Sequence, residues 1–203
     1  MNAGATALGR ARVAPGVAAW ARPVALLAGL VLVIGARWAG TRAGMDPLVL
    51  GAAFGVAVIA LGWTRPSLPA ARDLVIGLAA GLALVALTGL GAAIAGSTLP
   101  SGLGRPAAPF LPWAAITIVV AAGEESILRG RLFDATRRAG GTVAAVALTT
   151  IVFALLHVPL YGWHVVPLDL GVGLAFAGLR LLTRGIAAPA TAHAVADLAT
   201  WWL

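Results

Sequence analysis

The chain has 203 residues, of which 61% are hydrophobic and 10% charged, and a mean hydropathy of +0.98; a soluble domain of this size is neither so apolar nor so poor in charge. Its net charge of +7 rests on fourteen basic residues, all Arg, scattered among loops between apolar runs. No basic face with aromatic platforms exists for nucleic acid, and the lack of Cys removes disulfides, thiol catalysis and cysteine-based metal sites.

What remains is an all-α fold: a polytopic membrane helix bundle of about seven transmembrane helices, multi-pass in the cell membrane with the lipid bilayer as its surroundings, and with every candidate for chemistry in the C-terminal four. Residues 1–22 carry Arg10, Arg12 and Arg22 and lead into the apolar run 24–36. That run has the length of a signal-peptide core, and small residues suited to cleavage follow it. Arg37, Arg42 and the directly following spans favour an uncleaved first span instead.

A second apolar stretch covers 47–63 and a third 74–96, with prolines and charges marking 63–73 as a loop. These three spans form an N-terminal unit, 1–96, with no unpaired polar group of interest. Gly51-x-x-x-Gly55 and Gly77-x-x-x-Gly81 predict close helix packing, and seven Trp suit interfacial anchoring. A Pro/Gly linker at 97–109 separates this unit from residues 110–203, which hold every candidate for chemistry.

From Phe110 a fourth helix climbs to Glu124 and Glu125 and continues to Arg138, where Gly140-Gly141 stops it. A fifth span follows over 142–157, then a break at 159–167, a sixth span to about 182, a turn at 183–185 and a last span over 186–203. With a cytoplasmic N-terminus, ten Arg fall on the inner side and three outside, the distribution the positive-inside rule favours.

Glu124, Glu125 and Arg129 end a run that belongs in a membrane, where ionisable groups cost several kcal/mol by insertion scales (~2.5–3.5 each). On a helix Glu125 and Arg129 share a face at i,i+4, while Glu124 points about a quarter turn away. Arg129 therefore pairs with Glu125, and Glu124 is left as a candidate acid or base. An ion cluster steadying a helix end is the bland alternative.

Three further polar groups sit where apolar ones would be cheaper: His157, four residues after Phe153, and the i,i+4 pair His193 and Asp197. Singly, His157 beside Pro159 reads as a helix cap, His193 as a satisfied core histidine, and Asp197 as an interfacial residue near Trp201 and Trp202. A straight hairpin about Gly140-Gly141 would bring Glu124 and His157 to one depth, on the order of 25 Å from the turn. His164 and Asp169 flank Pro167 at a helix start and read as structural. Tyr161 and Ser126 have no neighbouring base at helical spacing to activate them.

Glu124-Glu125-x-x-x-Arg129-Gly130, Phe153-x-x-x-His157 and His193-x-x-x-Asp197, in this order, resemble the intramembrane glutamic endopeptidases of the CAAX prenyl protease and bacteriocin-processing (CPBP, or Abi) group, over about residues 108–203. The resemblance implies hydrolysis of a peptide or membrane-protein substrate, with Glu124 and His157 activating water and His193 and residue 197 holding the oxyanion. It implies no cofactor and no metal. Asp stands at 197 where many members carry Asn. Asp197 must therefore be protonated by burial or else orient His193 so that its other nitrogen faces the pocket, and the second role is favoured. Glu125 and Arg129 then look like an ion pair fixing the helix that presents Glu124.

Two other functions share these residues. Two histidines and two carboxylates could ligate zinc in a metallopeptidase, although no His-Glu-x-x-His helix is present. A non-catalytic scaffold or bacteriocin self-immunity protein would keep the fold and bind a partner. The depth of the site also has two solutions: straight helices set it toward the outer leaflet, whereas an interfacial elbow at 131–138 moves it toward the cytoplasm.

Overall fold

The computed structural model describes residues 16–63, 68–94 and 108–202, and the regular structure among them is helical. A short 3₁₀ turn at Val17–Trp20 leads into α1 (Ala21–Arg42), followed by α2 (Pro47–Gly62), α3 (Ala71–Ile94) and α4 (Phe110–Glu125). A π-helical segment, Ser126–Leu132, then joins α4 to α5 (Phe133–Tyr161), and α6 (Val166–Thr183) and α7 (Ala187–Ala199) complete the bundle. Residues 1–15, the middle of the 63–73 loop and all but the last two residues of the 97–109 linker lie outside the described residues.

Four helical stretches are long and apolar enough to cross a bilayer, Val17–Arg42, Ala71–Gly89, Phe110–Tyr161 and Trp163–Thr183, and Pro47–Gly62 is a shorter apolar helix. The protein is an integral, multi-pass membrane protein. The stretch Phe110–Tyr161 has 52 residues, about 78 Å if straight against a hydrocarbon core of about 30 Å. It is not straight. Gly141 adopts φ 84° and ψ 179°, a backbone conformation open to glycine, and bends α5 there. Trp20 packs on the bend, where a Cβ on Gly140 would come within 2.8 Å of its ring.

The straight hairpin expected about Gly140-Gly141 is not what forms. α4 packs on α2 and α7, whereas α5 packs on α6 and on the π-helical segment. The cause lies in small residues. A Cβ on Gly123 would sit 2.6 Å from Val58 and 3.1 Å from the Gly55 carbonyl, so α4 is committed to α2 at backbone distance. Gly51 and Gly55 both face α4 (Ile116, Val119, Val120), and Gly77 and Gly81 both face α7 (Ala188, Thr191, Ala192, Val195), as the two Gly-x-x-x-Gly patterns predict.

Local signals account for most boundaries. Asp46 Oδ1 accepts from the Leu48 and Val49 amides at 2.9 and 3.0 Å, with Pro47 in the first turn, a side-chain cap on α2. At its other end Arg131 donates to the Leu61 carbonyl at 2.9 Å. The expected break at 159–167 is shorter: α5 runs through Pro159 to Tyr161, Gly162 turns at φ 88°, and Trp163–Val165 forms a 3₁₀ turn. The expected last span is shorter too. α7 has 13 residues, about 20 Å, and ends where Trp201 and Trp202 pack on Phe110 at centroid distances of 5.2 and 5.4 Å.

Candidate active site

The π-helical segment adds a residue to the turn after Glu125, a distortion that recurs at functional sites. It keeps Arg129 on the Glu125 face. Nη1 donates to Glu125 Oε1 at 2.9 Å, and both side chains are fully buried. Nη2 donates to the Gly173 carbonyl of α6 at 2.9 Å, and the guanidinium lies 4.7 Å from the Phe153 ring centre and 5.3 Å from that of Phe176. A buried ion pair needs such additional partners to offset desolvation.

Glu125 has a second partner that the pairing of Glu125 with Arg129 alone does not anticipate. The same Oε1 is 3.1 Å from His193 Nδ1, so one carboxylate oxygen ties α4 to α7. The other imidazole nitrogen, Nε2, lies 3.4 Å from Asp197 Oδ2 and 3.8 Å from Glu124 Oε2. Glu124 and His193 are 2% and 3% exposed; the Asp197 side chain is 42% exposed. Glu125 therefore fixes the imidazole through Nδ1, and Asp197 stands beside the nitrogen that faces Glu124. This reverses the arrangement in which Asp197 would turn the opposite nitrogen toward the site.

Phe153 organises the rest. Its ring meets His157, His193 and Phe176 edge-on, at centroid distances of 4.9, 5.4 and 5.7 Å. His193 is thus seated between Phe153 and Phe176, the latter at 5.1 Å. His157 is brought to the same aromatic cluster but not into contact with Glu124: no hydrogen bond or ion pair joins the two among the described residues. Its Nδ1 lies 3.0 Å from the Phe153 carbonyl and 3.4 Å from Asp169 Oδ2. Both neighbours are acceptors, which assigns the Nδ1–H tautomer and leaves Nε2 with the lone pair.

Four residues read as bland, or not singled out at all, stand at this site. Asp169 faces His157 rather than merely starting a helix, and Tyr161 stacks on His157 at 5.9 Å. Phe176 and Arg180 come from α6; Arg180 Nε donates to the Arg129 carbonyl at 2.8 Å and its Nη2 to Asp134 at 3.0 Å. A signal was present, because Asp169, Gly173, Phe176 and Arg180 recur at intervals of 4, 3 and 4 on one helical face. Arg37 of α1 also lines the space beside the site, so the N-terminal helices are not devoid of polar groups of interest. Among the described residues His164 makes no hydrogen bond, ion pair or ring contact with these groups, and no three His, Asp or Glu side chains are arranged to hold a metal ion.

Residues 106–199 match the family model described as type II CAAX prenyl endopeptidase Rce1-like. This segment is similar to the Rce1-like family. The Rce1-like segment contains Glu124, Glu125, Arg129, Phe153, His157, His193 and Asp197, and it leaves Arg37 outside. Comparison with curated proteins and with solved structures gives no match.

Proposed function

We propose that the protein is an intramembrane endopeptidase that hydrolyses a peptide bond in a peptide or membrane-protein substrate without a bound metal. The observation that carries this reading is the placement of Glu124: it is buried, its oxygen is 3.8 Å from His193 Nε2, and Arg129 is already engaged by Glu125. The similarity of residues 106–199 to a type II CAAX prenyl endopeptidase model supports it.

In this reading Glu124 takes a proton from water as the water oxygen attacks the scissile carbonyl, and later returns it to the leaving amine. His157 shares the water through Nε2, the nitrogen left free by the Phe153 carbonyl. His193, held as the imidazolium between the carboxylates of Glu125 and Asp197, is fixed at Nδ1 by Glu125 and donates its Nε2–H to the developing oxyanion. Asp197 orients that nitrogen, a role open to an ionised carboxylate that cannot itself donate to an anion.

The test uses purified protein in detergent with a quenched-fluorescence library of apolar peptides. Glu124→Gln, His157→Gln and His193→Gln are each expected to lower turnover by about 10²-fold or more, with the thermal transition of the Glu124 variant retained. Exhaustive chelation is expected to leave wild-type turnover unchanged. Turnover surviving any of the three substitutions overturns the assignment of that residue, and loss on chelation overturns metal independence. A Glu124→Gln variant that restores the phenotype of a deletion strain would instead establish a non-catalytic binding role.

A further inference from the structure

Beside the catalytic cluster lies a cleft of about 220 Å³ lined by Arg37 and Thr41 of α1, Met45, Pro47 and Leu50 around the start of α2, and Leu160 and Tyr161 at the end of α5. Tyr161 stacks on His157, so one wall of the cleft is a single ring away from that imidazole. Apart from Thr41 and the Tyr161 hydroxyl, the lining is apolar except for one cation.

That cation is poorly served by the protein. The guanidinium of Arg37 rests on the Phe54 ring at 4.5 Å, and among the described residues it makes no hydrogen bond and no ion pair. The contrast with Arg129, Arg131 and Arg180 is plain, because each of those donates to a carbonyl or carboxylate at 2.8–3.0 Å. Arg37 also lines the smaller pocket between α1, α2 and α5, with Phe54 and Leu156. Five N–H donors in a planar fork fit a carboxylate bidentately, and an apolar surround strengthens such a pair.

We propose that this cleft is the part of the substrate site that receives a peptide carboxylate, and that Arg37, contributed from outside the Rce1-like segment, binds it. The inference rests on the peptidase reading for the identity of the ligand as a peptide. Its source is either the carboxylate at a chain end or an acidic side chain, and the chemistry of recognition is the same for both.

The experiment measures binding rather than turnover, on the Glu124→Gln protein in nanodiscs of zwitterionic lipid. Four dansylated apolar tetrapeptides serve as probes: a free acid and its amide, and two amides carrying an internal Glu or Gln. A charge-assisted pair predicts that one acid probe binds about tenfold more tightly than its neutral twin. Arg37→Gln is expected to erase that difference while leaving the neutral probes unchanged, and Arg37→Lys to restore part of it. Which acid probe gains identifies the source. Equal binding of acid and neutral twins, a preference that survives Arg37→Gln, or no binding of any probe overturns the proposal. An acid preference that depends on Arg37, found together with no turnover of the peptide library by the wild-type protein, would sustain the carboxylate site and sink the peptidase reading alone.

Discussion

Glu125 Oε1 lies 2.9 Å from Arg129 Nη1 and 3.1 Å from His193 Nδ1, so a single buried oxygen couples the π-helical segment to α7. Removing the cation leaves that carboxylate uncompensated. Arg129→Met is therefore expected to cost about 3–5 kcal/mol, read as a lowered thermal transition in detergent. Arg129→Lys should recover only part, since one ammonium cannot span Glu125, the Gly173 carbonyl and two aromatic faces together. A lysine variant as stable as wild type would refute this geometry.

Phe153 touches both imidazoles and the Arg129 guanidinium. Phe153→Leu nearly conserves volume but removes the ring, and is expected to lower stability by about 2 kcal/mol. The more telling measurement is NMR of the histidine side chains. Loss of one ring current should shift His157 and His193 together, and a shift of only one would contradict the shared seat.

Glycines separate by what they face. A Cβ on Gly77 would stand 2.5 Å from the Ala188 carbonyl, whereas Gly171 has nothing within 4 Å. Gly77→Ala should push α3 from α7 and cost about 1–3 kcal/mol. Gly171→Ala should be neutral or stabilise by up to about 1 kcal/mol through helix propensity. Thermal unfolding of the pair decides it, and equal behaviour would place α3 wrongly.

Arg180 satisfies the Arg129 carbonyl inside the π-helical segment and reaches Asp134 beyond it. Arg180→Gln is expected to raise amide exchange over residues 126–132, equivalent to about 1–3 kcal/mol of local stability. Exchange unchanged there would mean that the segment holds its shape without α6.

The membrane class, the helices and the presence of Glu124, Glu125, Arg129, His157, His193 and Asp197 as polar groups in apolar runs are readable from the sequence because each rests on a local rule. Apolar runs need a bilayer, i,i+4 spacing puts Glu125 and Arg129 on one face, and charges in such runs demand partners. Which partners they find is not local. Gly55 and Gly123 let α4 approach α2 at backbone distance, so α4 leaves α5, and Glu124 meets His193 rather than His157. Glu125 acquires its second role, Asp169 its imidazole and Arg37 its cleft only when helices distant in the chain pack together. Charge and periodicity mark what must be buried with company; steric fit between remote backbones chooses the company.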